Sequence, residues 1–194
     1  MHTPFIHSCI PTRDYGLLNS LALKIFKWRR WTIVGKLPEQ PKFIIAVAPH
    51  TSNWDFFIGL GAIFSLSLKL KFMGKASIFR WPVKSLLTQL GGVAIDRSHN
   101  HGVVGQIVDE FNNNPQFILA LAPEGTRSTK VEWKTGFLQI AHRANVCVVP
   151  VSFDFRKKEI EFHPEVYISD DIEQELINFK RIFTNVCAKK AQTV

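Results

Sequence analysis

The chain has 194 residues, 46% of them hydrophobic and 21% charged, which is enough for one domain with a substantial core and too short for two. Its 24 Lys and Arg against 16 Asp and Glu leave a formal net charge of +8, which favours an anionic partner. A membrane-spanning helix is excluded on length, since the longest apolar run, Phe56 to Leu68, has 13 residues where about 20 are needed.

No secretory leader is expected, because the first residues lack a basic stretch leading into an apolar one. The first element in chain order is a helix over residues 15 to 28. Its segment Leu17 to Trp31 mixes leucines and aromatics with Lys24, Lys27, Arg29 and Arg30 and contains no carboxylate. That pattern suits a helix lying in a membrane interface over residues 15 to 31, and equally an ordinary packing helix with a basic outer face. Strands follow near residues 31 to 35 and 43 to 48. The second, Phe43-Ile44-Ile45-Ala46-Val47-Ala48, reads as fully buried and stops at Pro49.

After that strand comes His50-Thr51-Ser52-Asn53-Trp54-Asp55. Thr51, Ser52 and Asn53 are N-cap residue types, and the apolar Trp54, Phe56, Phe57, Ile58 and Leu60 suit the buried start of a helix over 53 to 66. Inside one helix, residues five apart point about 140° away from each other. With His50 in the turn and Asp55 in the first helical turn, the two side chains can meet. A carboxylate accepting from one imidazole nitrogen fixes the tautomer and leaves the other nitrogen to take a proton.

Downstream, strands are expected near 70 to 74, 92 to 95, 116 to 121, 146 to 152 and 159 to 168, with helices over 82 to 89, 101 to 112, 135 to 143 and 171 to 189. This alternation predicts a single-domain α/β layered sheet covered by helices. Two further strand ends carry polar residues. Gly92 to Arg97 ends in an arginine, and Phe117 to Ala122 leads into Pro123-Glu124-Gly125-Thr126-Arg127-Ser128. Gly125 permits a positive φ or a close backbone approach, while Arg97 and Arg127 offer planar forks for one phosphate. Open α/β sheets place their ligands at such strand ends.

Four blocks, His50 to Asp55, Gly92 to Arg97, Pro123 to Ser128 and Val148-Val149-Pro150-Val151, stand in the order found in the glycerolipid acyltransferase family, which the chain resembles over about residues 43 to 155. The resemblance implies a glycerol-phosphate-acyltransferase-like fold. It also implies transfer of a fatty acyl group from an acyl thioester, acyl-CoA or acyl carrier protein, to the hydroxyl of a lysophospholipid such as 1-acylglycerol-3-phosphate. In that reading His50 is the base and Asp55 its partner, while Arg97, Glu124, Gly125, Thr126 and Arg127 form the acceptor-phosphate site. The sequence departs from the family at Pro49, where asparagine is usual, and at Ala94 and Ala122, where phenylalanine is common.

No metal and no cofactor are expected, because a thioester is already activated for direct attack. The three cysteines, Cys9, Cys147 and Cys187, show no metal-ligand spacing and point to a reducing compartment, with Cys147 read as a buried strand residue. The expected setting is the cytoplasm, peripheral on the inner face of the membrane. Competing readings are a thioester hydrolase on the same fold and a non-catalytic basic module binding anionic membranes. Nucleic-acid binding is not expected, because neither a basic recognition helix nor an aromatic platform stands out.

Overall fold

The computed structural model describes residues 6–75, 81–82, 84–95, 100–125 and 132–189. Among them run α1 (Leu17–Arg29), β1 (Thr32–Gly35), β2 (Lys42–Ala48), α2 (Asn53–Ser65), β3 (Lys71–Lys75), α3 (Lys84–Gln89), β4 (Gly92–Ile95), α4 (Asn100–Asn113), β5 (Phe117–Leu121), α5 (Gly136–Ala144), β6 (Cys147–Asp154), β7 (Glu159–Phe162) and α6 (Ile172–Arg181). The strands form one sheet in the order β1-β7-β6-β2-β5-β3-β4. All neighbours pair in parallel except β6 with β7. Layered α/β architecture is therefore the one the alternating pattern predicts.

Continuous apolar runs are what a parallel sheet covered on both faces requires, and β6 is buried at every one of its eight residues. Successive side chains of β2 divide between two cores. Phe43 and Ile45 join Phe26 of α1, Ala62 of α2 and Val149, Val151 and Phe153 of β6. Ile44, Ala46 and Ala48 join Ile107, Val108 and Phe111 of α4, Leu138 and Ala141 of α5 and Phe179 of α6. Each fully buried large side chain contributes about 1.5–3 kcal/mol relative to exposure. The central strand is thus anchored from both sides, and its carboxyl end is a rigid platform.

The two helices on the first face touch closely. At Gly61 a β-carbon would fall 2.4 Å from the Phe26 ring, so α2 accepts the α1 phenylalanine only because that position lacks a side chain. Helix α1 ends with Arg30 in the left-handed region and the Trp31 amide donating to the Phe26 carbonyl, which turns the chain directly into β1.

Three expectations differ from the structure. The strand expected over 159 to 168 ends as a regular strand at Phe162. Phe162 faces Val151 and Val166 faces Val148, so four steps on one side match three on the other. Pro164 lies in the extra step and has no N–H for the ladder, which accounts for the break. The helix expected over 171 to 189 stops at Arg181. Bonds from Ile182, Phe183, Thr184 and Val186 then reach back only three residues, and the Cys187 carbonyl accepts from Phe155 N–H, tying the segment to the end of β6. Finally, the start of α2 is not buried: Trp54 and Phe57 are 59% and 60% exposed, and the helix turns Asp55 inward instead.

Substituting Gly61→Val should force Phe26 off its position and destabilise the fold by about 1–3 kcal/mol in chemical denaturation. Gly59→Ala, whose added carbon would lie 3.7 Å from Phe153, should leave stability unchanged or slightly raised, and the same measurement compares the two.

Candidate active site

Strand β2 lies between β5 and β6, in register through Ala46 opposite Leu121 and Ala48 opposite Ser152. The carboxyl ends of β2 and β5 are consequently side by side, and the residues after them share one edge of the sheet. After β2 the Ala48-Pro49 peptide is cis, and the chain turns through His50 and Thr51 into α2. Ser52 caps α2. Its hydroxyl accepts from the Trp54 amide at 3.1 Å, and together Ser52 and Asp55 make a reciprocal capping box.

Asp55 is the centre of this turn. Its Oδ2 accepts from the backbone amides of Thr51 and Ser52, both at 2.7 Å, and its Oδ1 accepts from the Ser52 hydroxyl at 3.2 Å. The side chain has no exposed surface, so the carboxylate is kept in place by these charge-assisted bonds and by the positive end of α2. The same Oδ2 lies 3.4 Å from His50 Nδ1, whose ring is 20% exposed. The pair expected from the His-x4-Asp spacing therefore meets, with Nδ1 on the carboxylate side.

On the adjacent strand end, Glu124 follows β5 and is 1% exposed. Its Oε1 accepts the backbone N–H of His50 at 2.9 Å, 74 residues away in sequence. The next residue, Gly125, has φ +63°, the left-handed conformation for which glycine has no side-chain penalty, and its N–H donates to the Ala122 carbonyl at 3.0 Å. Arg97, Thr126 and Arg127, the other residues of the expected phosphate site, lie outside the described residues.

Four backbone amides at the entry to α2 are engaged within the turn: those of Thr51 and Ser52 donate to Asp55, that of His50 to Glu124 and that of Trp54 to Ser52. These four are committed to the turn itself and are not an oxyanion hole. The contact of Glu124 with His50 was not visible in the sequence, since a buried carboxylate and a surface one look alike there. The capping box was legible in the spacing of Ser52 and Asp55.

His163 Nε2 lies 3.0 Å from the Ser152 hydroxyl and Nδ1 lies 3.6 Å from Glu161. The connectivity resembles a nucleophile triad, but Ser152 is only 2% exposed and the imidazole packs edge-on against Phe183, which leaves the hydroxyl closed to a substrate. Burial holds the His163 pKa below its ordinary value, against the opposing pull of Glu161. Cys147 is likewise inert: fully buried in β6, its thiol is pushed up to about 11, chiefly by burial and then by Glu165.

A mostly parallel α/β sheet thus carries, at the end of its central strand, a histidine paired with a buried acid, and a glycine turn at the neighbouring strand. A family model described as Acyltransferase matches residues 30–154, well over half of the chain, and the chain belongs to that family. Among solved structures it is similar to the crystal structure of the 1-acyl-sn-glycerophosphate (LPA) acyltransferase PlsC from Thermotoga maritima. That match has a TM-score of 0.56 and 20% identity, and covers 89% of this chain and 80% of the other. A search among curated proteins gives no significant match. The resemblance carried by the four blocks is thus borne out as to the acyltransferase family, and the structural match bears out the fold.

The lowered His163 pKa sets a direction for stability. A histidine held neutral by folding contributes stability above its unfolded pKa, near 6.5, and that contribution is lost as pH falls through the lower folded value. Chemical denaturation at pH 7.5 and 5.5 should show a larger acid-side loss for the wild type than for His163→Gln. Equal losses would remove His163 as the cause.

Proposed function

We propose that this protein transfers a fatty acyl group from an acyl thioester, acyl-CoA or acyl carrier protein, to the free hydroxyl of a lysophospholipid, with 1-acylglycerol-3-phosphate as the acceptor. The observation that carries the reading is the His50–Asp55 pair at the carboxyl end of β2, 3.4 Å apart and adjoining the Glu124-Gly125 turn of β5. With Nδ1 facing Asp55, Nε2 is the nitrogen that takes the acceptor's proton. The acceptor oxygen attacks the thioester carbonyl, the carbon–sulfur bond breaks, and His50 returns its proton to the departing thiolate. Asp55 complements the imidazolium formed between these steps. Arg97 and Arg127 hold the acceptor phosphate, with Gly125 and Thr126 shaping the turn. The thioester supplies the activation, so the reaction as written calls for no metal and no cofactor.

Replacing His50 by Ala should lower turnover by at least about 10²-fold, the ordinary weight of a general base, and leave the circular dichroism spectrum and melting transition intact. A folded His50→Ala protein with undiminished turnover would reject the assignment.

The lipid substrates favour an enzyme that works at a membrane surface. No helix among the described residues is long and apolar enough to cross a bilayer. Instead, α1 exposes Leu17, Leu18, Leu21, Ile25 and Trp28 with Lys24, Lys27, Arg29 and Arg30 also exposed, and the neighbouring α2 adds Trp54 and Phe57. Its opposite face, through Ala22 and Phe26, is packed in the core, so α1 serves as a packing helix and still offers an apolar stripe with cations around it. We assign this stripe to an anionic bilayer at the inner face of the membrane. Vesicles rich in anionic lipid should co-sediment with the wild type, less so at high salt. The combined Leu17→Ser, Leu21→Ser and Trp28→Ser variant should bind about tenfold or more weakly, given the apolar area removed. Equal binding by both would place the contact elsewhere.

A further inference from the structure

We infer that Glu124 is a positioning residue for His50, not a ligand of the acceptor phosphate; this rests on His50 being the base proposed above. A carboxylate has only acceptor oxygens, and beside a phosphate it would add like charge. What Glu124 does in the structure is accept the His50 N–H at 2.9 Å while 1% exposed. The surroundings explain why that bond matters. On the amino side of His50 stands Pro49, which has no N–H to donate, after a cis peptide. On the carboxyl side, the amides of Thr51 and Ser52 are held by Asp55. Asp55 fixes the ring nitrogen and the next two peptides, and Glu124 fixes the peptide of His50 itself.

This bond also joins the two halves of the site, the turn after β2 and the turn after β5. Glu124 immediately precedes Gly125 in the turn that leads to the acceptor-binding arginine, so one hydrogen bond ties the placement of the acceptor turn to the placement of the base. In this role Glu124 acts on the base through the peptide of His50. Its contribution is geometric, and a side chain with a carbonyl oxygen at the same place should substitute for it.

The test compares Glu124→Gln and Glu124→Ala in the full-length protein, measuring kcat and the acceptor and donor KM values together with ¹⁵N–¹H spectra of the histidine rings, His50 being assigned with His50→Ala. Glu124→Ala should lower kcat by about 10- to 100-fold, the scale of a misplaced catalytic group, with the acceptor KM within about threefold, and should shift or broaden the His50 ring signals. Glu124→Gln should keep kcat within about fivefold and retain the wild-type His50 signals. A raised acceptor KM with kcat preserved in either variant would return Glu124 to the phosphate site and overturn the inference, as would unchanged His50 signals in Glu124→Ala. If Glu124→Ala does not fold, Glu124→Gln decides by the same two readouts. The spectra report on His50 even if the wild type proves to transfer no acyl group, so failure of the proposed function and failure of the positioning role are told apart.

Discussion

Two buried carboxylates hold the turn on which this site is built. Asp55 and Glu124 between them take the backbone N–H groups of His50, Thr51 and Ser52, three in succession. Leaving either acid buried without such donors would cost several kcal/mol, so sequence and turn specify each other. The amides of His50, Thr51, Ser52 and Trp54 are engaged within the turn, so these four are not the donors for charge that develops on a reacting carbonyl.

That turn can be precise because the sheet beneath it is rigid. Strand β2 is packed on both faces by separate cores, and β5 and β6 flank it in register up to its last residues. A bond such as the one from His50 to Glu124 spans 74 positions of sequence but only two adjacent strand ends. Parallel pairing is what brings them together, since it places the loops after β2 and β5 on the same edge. The helices α1 and α2 cover one face of the sheet and carry exposed apolar side chains on their outer surfaces, beside the cations of α1.

Most of this architecture was legible in the residues. The apolar runs 43 to 48, 117 to 122 and 146 to 152 are long because both faces of their strands are covered; proline follows the first two, and the third continues through Phe153 to Asp154 at the end of β6. The His50–Asp55 contact followed from placing the helix start between them. Other features needed the tertiary structure. Trp54 and Phe57 have a core composition, yet only one face of α2 is turned to the protein and Asp55 occupies its most protected position. Pro164 stands within an otherwise strand-like stretch, and its missing N–H breaks the ladder there. Glu124 reads in sequence as one more polar residue of a glycine turn; its partner is a backbone amide, which carries no residue-type signal at all. Arg97, Thr126 and Arg127 rest on the block pattern alone.

The account stands most directly on the fate of a labelled acyl group. Purified protein incubated with a radiolabelled acyl thioester should deliver label to phospholipid only when 1-acylglycerol-3-phosphate is present, and should release little free fatty acid without it. Label appearing chiefly as free fatty acid, whether or not the lysophospholipid is added, would contradict transfer and make the His50 centre a hydrolase.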